Sequence, residues 1–293
     1  MGGLRKIGEA DIVKFSPEQY EQRKQYFLNN IDPKNEYVLF GKIYCAHCKK
    51  EKSLDMPERY FYVKCPCDCE RKREFVEQKR KERAEKIRIY RESNERNLPM
   101  DVRGASFYKL VDSKSSENYI TVCERCEKFC RNFQAVKQSG RGIWLYGEFD
   151  TGKTYLASAI LKTLQDEGVM CIFTTMERIL DELKATYNTT TSATEQSVMT
   201  NYAKVDCLIL DDFIGIKSSR KGVDNWAADK FCEIIKRRHE QHLPTVITSR
   251  SSIRGLTTDG LLPREIVDKL VNKMVELQLT ERQRRFTQAT IEF

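Results

Sequence analysis

The stretch that decides the fold reads Gly147-Glu148-Phe149-Asp150-Thr151-Gly152-Lys153-Thr154. It fits the pattern G-x-x-x-x-G-K-S/T, in which the glycines let backbone N–H groups approach phosphate oxygens. In this pattern the lysine reaches the β- and γ-phosphates, and the final hydroxyl helps to hold Mg²⁺. The octet therefore predicts that all eight residues line a site for ATP and Mg²⁺, with Lys153 as a catalytic group and Thr154 as a magnesium ligand.

The residues around the octet have the context that such a loop requires. Residues 143–146 form a short apolar run, which suits a buried parallel strand. After the loop, Leu156, Ala159, Ile160 and Leu164 recur at helical spacing. A strand, the loop and a helix N-terminus are thus predicted in order, and the helix dipole adds to the attraction for an anion.

A second apolar run, residues 205–210, ends in two carboxylates, Asp211 and Asp212. At the carboxyl end of a parallel strand, Asp211 would lie beside the phosphates and hold Mg²⁺ directly or through water, as the acidic strand end of phosphate-loop NTPases does. Asp212 follows it and is predicted to orient the attacking water. The alternative is an ordinary surface turn after a core strand.

Two further apolar runs predict additional strands. Residues 170–175 form an extra strand between the loop strand and the acidic strand, and residues 245–249 form another that ends in Thr248 and Ser249. A polar side chain at that end can sense the γ-phosphate. This arrangement favours an AAA+ or RecA-like ATPase over a small-molecule kinase.

From Pro99 onward, predicted strands and helices alternate, which is typical of an α/β fold with a parallel sheet flanked by helices. Ser16-Pro17-Glu18-Gln19 predicts a helix start near the N-terminus. We predict three parts: a module over 1–70, a basic helical linker over 71–98 and an AAA+ ATPase domain over 99–293. The predicted strands of the last part are 142–146, 170–175, 205–210 and 245–249, and its helices are 118–136, 153–166, 176–186, 194–203, 223–241 and 264–274, with a loop over 189–194.

The N-terminal module contains a cluster of cysteines, Cys45-x-x-Cys48 followed by Cys65, Cys67 and Cys69. Two close groups about sixteen residues apart are typical of a structural zinc site with four thiolate ligands. Cys45 and Cys48 are the safer ligands, and the spacing does not choose among the other three. The alternative is five unrelated thiols. A second group, Cys123, Cys126 and Cys130, is interpreted as core residues of one helix, as are Cys171, Cys207 and Cys232.

Composition and charge limit the class of protein. The chain has 293 residues and 11 cysteines, and no stretch approaches the roughly 20 apolar residues of a membrane span. We therefore expect a cytoplasmic protein without a membrane partner, in which clustered cysteines bind metal rather than form disulfides. The net charge is +8, and residues 71–96 carry eleven Lys or Arg against six Glu. This run predicts a solvated helix that is either a spacer or a contact for nucleic acid or a protein partner.

Taken together, these features resemble the DnaC/DnaI-type helicase loader family, over about residues 40–280. The residues that carry the resemblance are the Cys45–Cys69 cluster, Leu98-Pro99 with Ala105-Ser106-Phe107, the loop Gly147 to Thr154, the strand end Leu208 to Asp212, and Pro244-Thr245-Val246-Ile247-Thr248-Ser249.

The resemblance implies an AAA+ ATPase that binds a replicative DnaB-type helicase and helps to place it on single-stranded DNA. In the family, the N-terminal module contacts the helicase, the ATPase domains form a spiral homo-oligomer, and a segment after the second strand touches single-stranded DNA. Tyr187 matches the aromatic residue of that segment, where a base could stack on its ring. Tyr187 packing against its own helix is the alternative, and Trp226 is a second candidate that is better explained as core.

Three positions depart from the family pattern. Arg250 stands where the family usually has Asn, so that sensing of the γ-phosphate falls to Thr248 or Ser249. Lys269 stands where an arginine that acts on a neighbouring subunit is common, and Arg264 is the substitute candidate. Arg284-Arg285 match the terminal arginine of the family only loosely. These departures bear on hydrolysis and not on ATP binding.

Two other functions are alternatives to a helicase loader. A transposition-helper ATPase shares the same core but acts on duplex DNA, and the cysteine module argues against it. A non-hydrolysing adaptor that captures or inhibits a helicase would fit the departures at Arg250 and Lys269.

Overall fold

The computed structural model describes residues 15–59, 61–109, 115–187, 194–216, 226–262 and 264–280. The chain divides into two compact units, an N-terminal unit up to Arg83 and a C-terminal unit from Ala84 onward. Each unit has its own core, and they are described separately.

The N-terminal unit begins with a well-capped helix. The Ser16 hydroxyl accepts from the backbone N–H of Gln19, and the Gln19 side chain accepts from the N–H of Ser16. This reciprocal pair confirms the predicted helix start. Two antiparallel hairpins and a long helix follow. The elements are α1 (Pro17–Asn29), β1 (Glu36–Leu39), β2 (Lys42–Cys45), β3 (Ser53–Met56), β4 (Phe61–Lys64) and α2 (Asp68–Asn97).

The basic run is helical, as its sequence predicts. Nearly all side chains of α2 between residues 71 and 93 are exposed or half-buried, and i,i+3 and i,i+4 ion pairs such as Arg88–Glu92 connect them. Within the C-terminal unit, the buried Asn94 donates to the carbonyl of Cys171 at 2.7 Å and accepts from the N–H of Phe173 at 2.8 Å. The last turns of α2 therefore satisfy backbone groups of a strand at the edge of the central sheet.

The C-terminal unit is an α/β domain. Its elements are α3 (Glu117–Arg131), α4 (Phe133–Ser139), β5 (Gly142–Gly147), α5 (Lys153–Asp166), β6 (Cys171–Thr175), α6 (Met176–Ala185), α7 (Glu195–Lys204), β7 (Cys207–Phe213), α8 (Trp226–Glu240), β8 (Thr245–Ser249), α9 (Ile253–Thr258), α10 (Arg264–Lys273) and β9 (Met274–Leu279).

Five parallel strands form the central sheet in the order β6-β7-β8-β5-β9. Alternate side chains along each strand enter two separate cores. Ile143 and Leu145 pack with α3, α4 and α5 on one face, whereas Trp144 packs with α6 to α10 on the other. The predicted fold, a parallel sheet flanked by helices, is thus confirmed.

The order of the strands in the sheet differs from their order in the sequence. The strand over residues 171–175 lies between β5 and β7 in the sequence, but in the sheet it is the edge strand beside β7. The strand inserted between β5 and β7 is β8, which ends in Thr248 and Ser249. The polar end of β8 is therefore central to the sheet edge where the loop and the two carboxylates lie.

Three element predictions were wrong in detail. The helix predicted over 118–136 is two helices, because the backbone leaves helical geometry at Asn132, which ends α3 and begins α4. Strand β9 was not predicted, nor was the short helix α9. The segment 274–279 alternates in burial, as expected for an edge strand with one covered face. The predicted loop over 189–194 lies almost wholly outside the described residues.

The cysteines outside the N-terminal unit lie in the core, as predicted. Cys123, Cys126 and Cys130 are buried on the face of α3 that packs in the first core, and burial raises the pKa of each thiol. Buried, protonated thiols of this kind behave as small apolar groups. Across the described parts of the chain, every helix is too short or too polar to span a bilayer.

Candidate functional site

The phosphate loop connects β5 to α5 at the carboxyl edge of the sheet. Gly147 lies so close to β9 that a Cβ atom there would be 2.1 Å from the carbonyl oxygen of Leu279. Gly152, which precedes the first residue of α5, has a φ of 86°, a left-handed conformation that favours glycine. Both glycines of the motif are therefore required by the backbone itself, apart from any role in approaching phosphate.

Inside the loop, the Lys153 ammonium group is held by three oxygens. Its Nζ donates to the carbonyls of Gly147 at 2.9 Å and Glu148 at 2.6 Å, and to Thr151 Oγ1 at 3.2 Å. Thr151 Oγ1 in turn donates to the carbonyl of Glu148 at 3.0 Å. Burial lowers the pKa of Lys153, so part of its hydration has been exchanged for these contacts. The loop is a compact turn built around the lysine that the motif assigns to the phosphates.

β7 extends to Phe213, so Asp211 and Asp212 lie inside the carboxyl end of the strand rather than after it as predicted. Asp211 meets the loop through a hydroxyl. Thr154 Oγ1 donates to Asp211 Oδ1 at 3.1 Å, and Thr248 Oγ1 donates to the same oxygen at 2.7 Å. Burial raises the pKa of Asp211, and the two hydroxyl hydrogen bonds oppose that rise. Mg²⁺ binds through hard oxygen ligands and usually keeps several waters. A carboxylate and a hydroxyl 3.1 Å apart fit that requirement, so Asp211 and Thr154 are the residues that would hold the ion.

A bulge separates the roles of the two neighbouring acids. The pairing of β7 with β8 shifts between Leu210 and Phe213, and Asp212 has a φ of 50°. As a result the Asp211 side chain is buried whereas that of Asp212 is exposed. Bulges of this kind commonly re-aim a side chain next to a functional site. Asp212 is thus available to a water or substrate group, whereas Asp211 is fixed by hydrogen bonds.

The two polar residues at the end of β8 do different things. Thr248 accepts from the backbone N–H of Asp212 at 2.8 Å while it donates to Asp211, so it fixes both acids at once. Ser249 is buried and accepts from the N–H of Ser251 at 3.3 Å. Of the pair proposed to sense the γ-phosphate, Thr248 is the one that contacts the acidic strand end.

Arg250, whose only signal in the sequence is its departure from the family pattern, follows β8 directly. Its guanidinium carbon lies 5.9 Å from the centroid of the Phe149 ring, in the phosphate loop. Arg250 lies next to the loop because β8 lies beside β5 in the sheet. The sequence alone does not predict that strand order.

The candidates for a trans-acting cation lie on α10. Arg264 is exposed at the first residue of this helix. Lys269 lines a small cavity with Gly140, His239 and Lys273, near the amino end of β5 and so at the edge of the sheet opposite the loop. Burial lowers the pKa of His239, and the charges of Lys269 and Lys273 lower it further. Arg284 and Arg285 lie outside the described residues.

Tyr187 follows α6 and is 59% exposed. Its hydroxyl donates to Glu195 Oε2 at 2.7 Å, and its ring centroid lies 6.4 Å from that of Trp226. Trp226 itself is half-buried against the second core. The Tyr187 ring therefore has an open face that is oriented by contacts to α7 and to the start of α8.

Four of the five clustered cysteines converge in the N-terminal unit. The sulfur atoms of Cys45, Cys48, Cys67 and Cys69 all lie within 4.8 Å of one another. Cys45 ends β2, Cys48 follows in the next turn, and Cys67 and Cys69 bracket the start of α2. Cys65, one residue after β4, is not a member of this group.

The sulfur geometry suits zinc. Cys69 Sγ is 3.4 Å from Cys45 Sγ and 3.1 Å from Cys67 Sγ, and a tetrahedral site with Zn–S bonds of about 2.3 Å separates its sulfurs by about 3.8 Å. The backbone N–H of Cys48 lowers the pKa of the Cys45 thiol to about 6, which favours the thiolate that binds metal. His47, the other potential ligand, instead makes a 2.9 Å hydrogen bond from Nε2 to Asn35. The four converging sulfurs match the number of ligands that a structural zinc site requires.

Comparison with known proteins gives consistent similarities. The chain is 24% identical over 260 residues to the replicative helicase loader DnaI of Bacillus subtilis, which covers 83% of this chain and 76% of the relative. It is 24% identical over 186 residues to the replicative helicase loader DnaC of Escherichia coli, which covers 62% of this chain and 73% of that one. A crystal structure of the DnaC helicase loader superposes with a TM-score of 0.51 at 19% identity, over 62% of this chain and 99% of the other.

These similarities confirm the resemblance to DnaC/DnaI-type loaders, and the C-terminal unit has the fold of nucleotide-binding ATPases. The model of the family described as IstB-like ATP binding protein matches residues 126–290, more than half of the chain. The matched segment contains the phosphate loop, the acidic strand end and all five strands of the parallel sheet, and this chain belongs to that family.

Proposed function

We propose that this chain is an ATP-dependent helicase loader. In this proposal it binds a replicative DnaB-type helicase and helps to place it on single-stranded DNA during the initiation of replication. Its site of action is the cytoplasm.

The chemistry proposed for the C-terminal unit is binding and slow hydrolysis of ATP with Mg²⁺. Lys153 and the backbone of Gly147 to Thr154 hold the phosphates, Thr154 and Asp211 hold Mg²⁺, and Asp212 orients the attacking water. The hydrogen bonds that join Thr154 and Thr248 to one Asp211 oxygen support this assignment, because they bring the loop, the acid and the central strand to one point.

The proposed division of labour follows the three parts of the chain. Residues 1–70 form a zinc-stabilised module that contacts the helicase, 71–98 a basic helical linker, and 99–293 the ATPase domain. Zinc held by Cys45, Cys48, Cys67 and Cys69 would contribute directly to folding of a module whose own apolar core is small.

Single-stranded DNA and further copies of the chain are the other proposed partners. The open face of Tyr187 can stack on a base whatever its identity. ATP or helicase binding would assemble the chain into an oligomer in which Arg264 reaches the site of the next subunit and stabilises charge on the phosphates.

The single observation that carries the proposal is the extent of the match to a helicase loader. An alignment over 83% of the chain exceeds what the C-terminal unit alone contains, so it continues into the N-terminal unit that holds the cysteines. A shared ATPase core would not by itself account for a match of that length.

The test is complex formation by the full chain with the replicative helicase of the same source, followed by size-exclusion chromatography. We expect a stable complex with ATP, its loss in Cys67→Ser, and its retention in the matched control Cys65→Ser. Failure of the wild-type chain to bind the helicase under any nucleotide condition would refute the proposal.

Two further readouts separate the rival functions. Phosphate release measured with helicase and single-stranded DNA should exceed that of the chain alone, and no stimulation would indicate a non-hydrolysing adaptor. Tighter ATP-dependent binding to duplex than to single-stranded DNA would indicate a transposition helper.

A further inference from the structure

The register between β5 and β8 places Arg250 beside the phosphate loop of its own subunit. Tyr146 of β5 pairs with Ser249 of β8. The next residue on each strand is Gly147, the first of the loop, and Arg250. Neighbouring parallel strands are about 4.8 Å apart, so the Arg250 backbone lies next to the start of the loop.

The Arg250 side chain turns towards the loop rather than away from it. Its guanidinium lies over the ring of Phe149, which is 62% exposed near the apex of the loop. Stacking on an aromatic face orients a guanidinium while its five N–H donors remain available. Among the described residues, no carboxylate lies within ion-pair distance of Arg250 to occupy those donors.

Arg250 also borders an open space beside the loop. A cavity of about 370 Å³ opens there, and its wall is formed by Gly147, Glu148, Arg250 and Ser251 together with residues of α9 and the end of β9.

The strand order indicates which part of a nucleotide Arg250 would meet. In loops of this type the backbone N–H groups hold the α- and β-phosphates, and the lysine extends to the γ-phosphate. Strand β8 lies between the loop strand and β7, which carries Asp211 and Asp212 near its carboxyl end. The residue that follows β8 thus borders the gap between the loop and the acids, where the terminal phosphate and the attacking water belong.

We infer that Arg250 binds the γ-phosphate of ATP in its own subunit, with Phe149 as the positioning residue, and that it makes the site discriminate ATP from ADP. This inference rests on the proposed ATP binding. Arg250 then takes the place of a neutral residue that senses the γ-phosphate. Part of the negative charge on the phosphates in the transition state is stabilised by an arginine of the same subunit.

The experiment is calorimetric titration of the full chain with Mg²⁺ and either a non-hydrolysable ATP analogue or ADP. We expect Arg250→Ala to weaken binding of the analogue by about 10- to 100-fold, the usual loss for a charge-assisted hydrogen bond, and binding of ADP by less than about threefold. Arg250→Lys should fall between, because lysine keeps the charge but lacks the planar fork. Phe149→Leu should reduce the preference for the analogue while the charge is retained.

Arg254→Ala is the matched control. It removes the same charge from an exposed position four residues further on, outside the wall of the cavity, and should leave both affinities within about twofold.

The possible results distinguish the inference from the function on which it rests. An equal loss for the two nucleotides, or no loss for either, in Arg250→Ala would overturn the role of Arg250 and leave ATP binding intact. An equal loss in Arg254→Ala would show that any nearby positive charge has the same effect on nucleotide affinity. That result would also overturn the role of Arg250. Absence of binding by the wild-type chain would overturn the proposed ATP site itself.

Discussion

Thr248 makes the most informative single contact of the candidate site, because one hydroxyl fixes both acids at the end of β7. It donates to Asp211 Oδ1 at 2.7 Å and accepts from the N–H of Asp212 at 2.8 Å. Thr248→Val keeps the shape of the side chain and removes both hydrogen bonds. The Asp211 carboxylate is only 6% exposed. Of its two hydroxyl donors, it would then keep only Thr154.

The expected loss follows from the two contacts. A hydrogen bond to a charged group contributes about 1.5–3 kcal/mol and a neutral one about 0.5–1.5 kcal/mol, so Thr248→Val should lower the free energy of unfolding by about 2–4 kcal/mol. The Thr248 hydroxyl also opposes the rise in the pKa of Asp211 that burial causes. Its removal should raise that pKa further and weaken Mg²⁺ binding at neutral pH.

The chain is well suited to the measurement. Its only two tryptophans, Trp144 and Trp226, both belong to the C-terminal unit. Tryptophan fluorescence during urea titration therefore reports the unfolding of that unit alone. A loss of about 2–4 kcal/mol corresponds to a downward shift of the midpoint by about 1 M urea.

Thr248→Ser is the control, because serine keeps the hydroxyl and loses only one methyl group. We expect it to cost less than about 1.5 kcal/mol. A valine variant as stable as the wild type, or a serine variant as unstable as the valine variant, would show that the hydroxyl does not hold the acidic strand end.

Three further outcomes are expected. Cys67→Ser should reduce the zinc content measured by elemental analysis well below one ion per chain, whereas Cys65→Ser should retain about one, since only the former removes a converging sulfur; equal losses would contradict the assignment. Burial raises the pKa of Glu36, but the ammonium groups of Lys52 and Lys64 outweigh it and lower the pKa overall. That stabilisation is present above the usual glutamate pKa and is lost as pH falls through the lowered value. Glu36→Gln removes both ion pairs of Glu36 but leaves the buried Lys52 paired with Glu70. It should therefore cost the N-terminal unit about 1.5–3 kcal/mol near pH 7 and flatten its acid unfolding curve, as measured by circular dichroism; an unchanged curve would refute this. Tyr187→Ala should weaken binding of single-stranded DNA by about 1–3 kcal/mol in a fluorescence anisotropy titration, and Tyr187→Phe should not; equal effects would point to the hydroxyl and its bond to Glu195 instead of the ring.

Local patterns in the sequence predicted the parts of the molecule that local physics controls. The loop, the helix that starts at Lys153 and the strand over 245–249 were placed correctly because glycine spacing and apolar runs specify them. The edge strand β9 was missed because it follows an amphipathic helix with no residue between them. The spacing of apolar residues changes from helical to alternating at a single residue, Met274.

Features that depend on the path of a turn or on long-range strand pairing could not be predicted. Which two of Cys65, Cys67 and Cys69 meet Cys45 and Cys48 depends on how the chain turns from β4 into α2. The position of Arg250 depends on β8 being inserted beside β5, a long-range pairing that no sequence spacing encodes. The bulge that buries Asp211 and exposes Asp212 likewise arises from pairing with β8.

The central claim is that ATP held at Lys153 powers the placement of a helicase on DNA. Its most direct test measures how much replicative helicase becomes stably bound to circular single-stranded DNA when the full chain and ATP are present. We predict a large increase with the wild-type chain and none with Lys153→Ala, although this variant should still bind the helicase through its N-terminal unit. Equal loading by the two chains, or no increase with either, would contradict the account.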